Sequence, residues 1–328
     1  MLSVGHRSQR TWLLAPTTER TEGCTHCEAC GGSERSWALP LVPEGNRASF
    51  CFWACRGCGT VHTESRPSAR SLSSYYARAS PANLEGEAES AVGGLRELLR
   101  AGGKVYGLWR WNTTSRMARQ LGPHPTIVEV GCGEGGLSRR LASEGASVTA
   151  IDVARHPSWK EADGVRYLQA GTPRVLTHVA RADMVIAHHV IEHVPDPVGF
   201  LRDCQVVLRP GGVLLLTTPW ADSAQFRAFR ECWALFQYVE HPHLFSSGGL
   251  ERMLTSNGFT DVELRPIVHD FPGELGKSAI CRLEVRLGQF DSRGTQLLTL
   301  LLTPPTLIAK AAPRWRSTIE VRARKVDA

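Results

Sequence analysis

Four glycines crowd into six residues, Gly131, Gly133, Gly135 and Gly136, between the apolar run at 126–130 and a helical pattern at 137–143. Glycine at this density lets the backbone turn sharply and approach a ligand with no side chain in the way. A helix that starts directly after such a turn offers its first N–H groups to a polar or anionic ligand. Strand, glycine loop and helix in that order fit a parallel sheet covered by helices. The rest of the chain supplies the matching strands. Short β-branched and aliphatic runs recur at 147–151, 165–169, 183–187 and 213–217, and two more follow at 261–264 and 318–324. The apolar content of the first five suits strands buried on both faces. Seven strands interleaved with helices predict an α/β fold, a doubly wound, seven-stranded Rossmann-like sheet.

Asp152 closes the second run, 21 positions after Gly131. A carboxylate there can accept both hydroxyl hydrogens of a ribose. Its plainer use is as a turn or helix-capping residue. Loop and acid together point to a nucleoside-containing cofactor. Gly131, Gly133 and Gly136 spell the G-x-G-x-x-G of dinucleotide-binding folds, so the loop by itself admits a nicotinamide cofactor.

The downstream segments decide between cofactors. Gly131-x-Gly133-x-Gly135, with Glu129 two residues ahead, resembles motif I of class I S-adenosylmethionine (SAM)-dependent methyltransferases. The stretch Ala182 to Pro197, with Glu192-His193-Val194-Pro195-Asp196-Pro197 at its end, resembles motif IV of the ubiquinone- and menaquinone-biosynthesis type enzymes. Arg209-Pro210-Gly211-Gly212 then resembles the turn before that family's fifth strand. The resemblance covers residues 126–264 and, more weakly, the final strand. It implies that Glu129, Gly131, Gly133 and Gly135 surround the methionine part of SAM, with Cys132 lining the loop. Asp152 would hold the ribose, and His188 would lie near the sulfonium. One departure stands out: Gln169-Ala170-Gly171-Thr172 carries no acid where relatives often place one beside the adenine, which leaves Thr172 or a backbone group for that contact.

Methyl transfer is an in-line displacement in which an enzyme supplies alignment, plus a base where the acceptor must lose a proton. Histidine titrates near neutrality and suits that task. His188, His189 and His193 cluster after the fourth strand, where ligands of open α/β sheets gather, and a second pair, His241 and His243, precedes the sixth. His193, His189 and His243 are the candidate bases. Each has a plain alternative as a capping or pocket-wall residue. Glu192 reads as a structural partner in the same loop.

Six of the ten cysteines lie between Cys24 and Cys58. Cys27-x-x-Cys30 and Cys55-x-x-Cys58, with 24 residues between Cys30 and Cys55, make two half-sites for one tetrahedral zinc ion. Cys24 and Cys51 are spare, and His26 and His62 are weaker alternative ligands. Ferredoxin-type spacing is absent, which argues against an iron–sulfur cluster. The cysteine pairs, with Tyr75-Tyr76 soon after, resemble the zinc-ribbon head of some bacterial small-molecule methyltransferases, sugar C-methyltransferases among them. That resemblance implies a structural metal that frames the acceptor entrance.

The expected organisation is a cysteine-rich zinc-binding module at 1–62, a helical linker or cap at 63–122, and a SAM-dependent methyltransferase domain at 123–328. Hydrophobic residues at 42% and charged residues at 21% describe an ordinary globular chain. Its net charge of +6 is spread among acids, so no concentrated basic face argues for nucleic acid. A small-molecule acceptor is therefore expected, with transfer to an O or C atom, in secondary metabolism or sugar modification. RNA methylation through the arginines at 96–119 is one alternative, and SAM binding without turnover is another. Residues 1–20 hold no signal-like apolar run. The apolar stretch 297–308 is broken by Pro304 and Pro305 and falls short of the roughly 20 residues a spanning helix needs. No membrane partner and a cytoplasmic location are the expectation, and nothing in the pattern fixes an oligomeric state.

Overall fold

The structure is a computed structural model, and it describes residues 25–41, 50–63, 111–170, 176, 178–236, 241–268, 273–288 and 290–327. Cys24, Tyr75-Tyr76, Thr172 and the helical patch at 95–100 lie outside the described residues.

Three strands come first: β1 (Arg35–Leu41), β2 (Phe50–Cys55) and β3 (Val61–Thr63). A helical segment at 111–120 leads into β4 (Thr126–Val130), the glycine loop and α1 (Gly136–Ser143). Next come β5 (Ser147–Asp152), β6 (Val165–Gln169), β7 (Ala182–His188), α2 (Pro197–Val207) and β8 (Leu208–Pro219). The chain continues through α3 (Ala224–Phe229), β9 (His243–Leu244), α4 (Ser247–Ser256) and β10 (Phe259–Ile267). It ends with α5 (Gly273–Leu287), α6 (Ser292–Ala311) and β11 (Thr318–Lys325).

The seven expected strands form one sheet in the order β10-β11-β8-β7-β4-β5-β6. β4 to β8 run parallel, while β11 is antiparallel to both β8 and β10. Alternation of side chains across the pleat splits the core into two layers. Val128, Val130, Val185, Leu214 and Leu216 face one way, onto α2 residues Phe200 and Leu201 and α4 residues Leu250 and Met253. Ile127, Met184, Ile186, Val213 and Leu215 face the other, onto α1 residues Leu137 and Leu141. The helices start where their caps allow: Asp196, Ser223, Ser246 and Asp291 each accept an N–H from the first turn that follows.

β8 spans Leu208–Pro219, but its pairing with β7 passes from Leu208 directly to Val213, so Arg209-Pro210-Gly211-Gly212, with Gly211 at a φ of 68°, is the expected turn, set as a bulge within the strand's span. One sequence expectation changes. The stretch 297–308 is not broken at its prolines, because α6 runs through Pro304 and Pro305. A proline pair removes helical N–H donors but keeps helix-compatible φ angles. Among the described residues no helix is long and apolar enough to cross a membrane.

β4 has β5 on one side and β7 on the other, so the crossovers diverge between β4 and β7. In open α/β sheets that divergence leaves a crevice at the carboxyl ends of the strands. A second sheet lies nearby, in the order β1-β2-β3-β9. Its fourth strand, His243–Leu244, is contributed from beyond β8, so the cysteine module and the large sheet's connections are knitted by backbone hydrogen bonds.

Candidate functional site

The glycine loop leaves β4 into that crevice. Gly131, Gly133 and Gly135 have φ of 72°, 51° and 77°, a region that favours glycine. A Cβ on Gly131 would lie 2.6 Å from Val190 Cγ2, and one on Gly135 would lie 2.7 Å from the Tyr167 hydroxyl. The loop is also braced from outside. Gly131 N–H donates to the Ile151 carbonyl (2.8 Å), and Trp159 Nε1–H donates to the Gly133 carbonyl (2.8 Å) while stacking on Tyr167 at 4.9 Å. Buried Glu129 accepts a hydrogen bond from Ser138 Oγ in α1, which ties the strand end to the helix start.

Asp152 reaches the same loop. Its carboxylate accepts from Gly133 N–H (2.8 Å) and from Ala154 N–H (3.2 Å). Loop and acid are thus in contact, and the bond to Ala154 N–H is that of a turn residue. Burial, with the Glu129 and Asp152 carboxylates nearby, pushes the Cys132 thiol well above its ordinary range. It stays protonated and serves as wall, not nucleophile.

A cavity of about 490 Å³ opens between the loop and the exit of β7, with Glu129, Gly131, Cys132, His188, His189 and His193 in its lining. His188 Nδ1 lies 3.2 Å from Thr217 Oγ1. His189 adopts a left-handed φ of 55°, and its Nδ1 is 2.9 Å from Glu192 Oε1. Glu192 is fully buried, and burial pushes its carboxyl up to about 7 against the opposing pull of His193. Another cavity, of about 460 Å³, lies by Pro125 and Ala146 at the amino ends of β4 and β5, the edge away from this chemistry.

His241 completes the wall. It packs edge-on against His193 with ring centroids 4.6 Å apart, and its Nδ1 lies 2.9 Å from the Leu235 carbonyl. A carbonyl only accepts, so Nδ1 carries the hydrogen and Nε2 the lone pair. His243, two residues on, does not join the cavity. It sits in β9, wholly buried, with Nδ1 3.2 Å from His62 Nδ1 and Nε2 3.2 Å from Glu28 Oε2. Pairing of β9 with β3 turns it into the cysteine module, and no local pattern in the sequence announces that pairing. Sequence reasoning did not select His241, Trp111, Leu235, Glu134, Leu137 or Arg139 from the cavity lining, nor Trp159 behind the loop. Only for His241 was there a signal, its place beside a candidate base.

In the module, the sulfurs of Cys27, Cys30, Cys55 and Cys58 all lie within 4.8 Å of one another. Cys27–Cys58 and Cys30–Cys55 approach to 3.5 Å. Two tight turns create this geometry: Gly31 N–H donates to the Cys27 carbonyl (2.6 Å) and Gly59 N–H to the Cys55 carbonyl (2.8 Å), both glycines at positive φ. Their shared hydrogen bond pulls the Cys58 thiol down to about 4 and pushes Cys27 up. Thiolates about 2.3 Å from a tetrahedral zinc ion would stand about 3.8 Å apart. The donor set and its spacing fit such an ion. The Cys51 side chain lies outside the described residues.

A family model described as a methyltransferase domain matches residues 101–264, half of the chain. The ubiquinone biosynthesis O-methyltransferase of Methylocella silvestris is 36% identical over 131 residues, 38% of this chain and 50% of the relative. The enzyme of that name from Xanthomonas campestris pv. campestris is 38% identical over 109 residues, 31% of this chain and 46% of the relative. The chain thus spans about half the length of the curated relatives it matches. Among solved structures, a putative sarcosine dimethylglycine methyltransferase from Galdieria sulphuraria aligns with a TM-score of 0.46 and 15% identity, over 68% of this chain and 86% of that one.

Proposed function

This chain belongs to the methyltransferase-domain family, and from that premise we propose that it transfers the methyl group of SAM to an oxygen or carbon atom of a small-molecule acceptor. The observation that carries the reading is the convergence of glycine loop, Asp152 and a histidine-lined cavity on one strand-end crevice. Similarity to ubiquinone biosynthesis O-methyltransferases favours oxygen as the atom methylated. Secondary metabolism and sugar modification are the proposed settings, the latter on the strength of the cysteine module.

SAM, when bound, supplies an electrophilic methyl group on a sulfonium. The chain's own part is positioning. Gly131, Gly133 and Gly135 leave room for the methionine portion, with Glu129 and Cys132 at its edge. Asp152 takes the ribose hydroxyls, and Thr172 is the proposed adenine-side contact. His188, pinned to Thr217, faces the sulfonium end. His193 takes the acceptor's proton, with His241 packed against it and His189 held by Glu192 alongside. His243 acts from the module and not at the acceptor. Cys27, Cys30, Cys55 and Cys58 hold a structural zinc ion.

Calorimetry with S-adenosylhomocysteine (SAH), followed by labelled SAM with a panel of hydroxylated acceptors, tests the reading. SAH binding and acceptor-dependent label transfer are expected. A base contributes about 10²–10⁴-fold, so His193→Ala should lose that much rate and keep SAH affinity. Binding of a nicotinamide dinucleotide in place of SAH would sink the assignment, and full activity in His193→Ala would remove that residue as the base.

A further inference from the structure

The cysteine module and the acceptor wall share a seam. Segment 241–249 carries His241 to the cavity and, within a few residues, meets the metal turns. Val61 pairs with Leu244 and His62 with His243 in antiparallel register. Thr63 N–H and Thr63 Oγ1 both donate to the Pro242 carbonyl, at 3.0 and 3.3 Å. Ser246 Oγ donates to the Cys58 carbonyl and lies 3.1 Å from Thr60 Oγ1. Gly249 lets the turn settle on α4, because a Cβ there would collide with Thr60 Oγ1 and come within 3.2 Å of Ala29 Cβ.

A polar chain runs through this seam. His62 Nε2 lies 3.1 Å from Cys27 Sγ, His62 Nδ1 lies 3.2 Å from His243 Nδ1, and His243 Nε2 lies 3.2 Å from Glu28 Oε2. A metal-bound thiolate accepts hydrogen bonds, and outer partners of this sort orient metal ligands. His62 and His243 are both wholly buried, so neither can turn to solvent. Pro242 alone separates His243 from His241.

We propose that His62 and His243 are positioning residues that carry the metal ion's hold on Cys27 into the acceptor wall, so that metal occupancy fixes His241 in the cavity. The proposal rests on the zinc assignment above but not on methyl transfer. It gives the module a place in acceptor recognition, while the cofactor half of the site is built on β4 and β5, which pair with no strand of the module.

The full-length protein, zinc-loaded or stripped with a chelator, is followed by hydrogen exchange. Stripping is expected to speed exchange at 241–250 at least tenfold and to leave 126–136 and SAH affinity within about twofold. In the cobalt-loaded protein, His62→Phe removes the N–H facing Cys27 and should shift the thiolate-to-metal charge-transfer band. His62→Gln, which restores an N–H donor, should return the band and the protection of 241–250. Should stripping unfold the whole chain, zinc-loaded Gly249→Ala decides: fast exchange at 241–250 with normal SAH affinity supports the coupling. Wild-type protection in that variant, an unmoved band in His62→Phe, or 241–250 indifferent to the metal would overturn it. Loss of SAH binding in the wild type would refute the methyltransferase reading and leave this coupling untouched.

Discussion

Replacing Glu192 by glutamine separates the site's electrostatics from its shape. The wild-type carboxyl is fully buried and raised from 4.5 to about 7, with burial the dominant cause. In the unfolded chain it ionises near its ordinary value, so between roughly pH 4.5 and 7 the folded state binds the extra proton. Stability from this group is fully present below about 4.5 and is lost as pH rises through about 7. The gap corresponds to about 3 kcal/mol. Glutamine has the same shape, cannot ionise, and keeps an oxygen to meet His189 Nδ1, now 2.9 Å from the carboxylate. Urea unfolding of both proteins at pH 4.5 and pH 8 reads the effect. The variant should match the wild type at the lower pH within about 1 kcal/mol, the worth of one altered hydrogen bond, and exceed it by up to about 3 kcal/mol at the higher. Parallel stability profiles would show that Glu192 is not held neutral by burial, and a wild type that gains on the variant as pH rises would reverse the argument.

Other outcomes follow from the loop. Asp152→Asn keeps an oxygen for Gly133 N–H but turns its NH2 toward Ala154 N–H, so thermal unfolding should lose about 1 kcal/mol, whereas SAH affinity should fall about 10–100-fold with the loss of a charge-assisted contact; unchanged affinity by calorimetry would exclude Asp152 from the ribose. Gly131→Ala meets both a positive φ and Val190 Cγ2 at 2.6 Å, and should cost about 1–3 kcal/mol in thermal unfolding. A wild-type melting temperature there would mean the loop relaxes more easily than its packing implies.

The glycine loop and the strands that flank it were legible because they are local. β4, the glycine loop, α1 and β5 are consecutive, and the expected strands at 126–130 and 165–169 coincide with β4 and β6. Arg209 to Gly212 reads as a turn and remains one, because pairing with β7 skips from Leu208 to Val213. Where pattern and structure part, long-range packing decides. The prolines of 297–308 read as a break, yet a proline pair within α6 lets the helix continue. The four cysteines were found by spacing alone, and their turns are as local as the glycine loop. His243 was assigned to the cavity because its neighbourhood in sequence is the same as that of His241. Only the pairing of a two-residue strand with β3 sends the two side chains to different places, and a strand that short leaves no periodicity to read.

The same contrast bears on specificity. SAM is one molecule with fixed geometry, and one contiguous βαβ unit can be shaped to it. The rest of the cavity wall instead gathers Trp111 from ahead of β4, three histidines from the exit of β7, Leu235 from after α3 and His241 from the edge of β9. None of these segments lies within the loop that Asp152 and Trp159 brace. His241 is also held from its far side, because its backbone continues into a strand that pairs with the cysteine module. Trp111 packs on the core beside β4 and Leu235 is buried with Phe226 and Trp233, so truncating either should lower stability by about 2–5 kcal/mol in thermal unfolding, and on the proposed reading should also change acceptor choice. On that reading the seam between the two sheets, which constrains residue 241 from both sides, would anchor the acceptor preference.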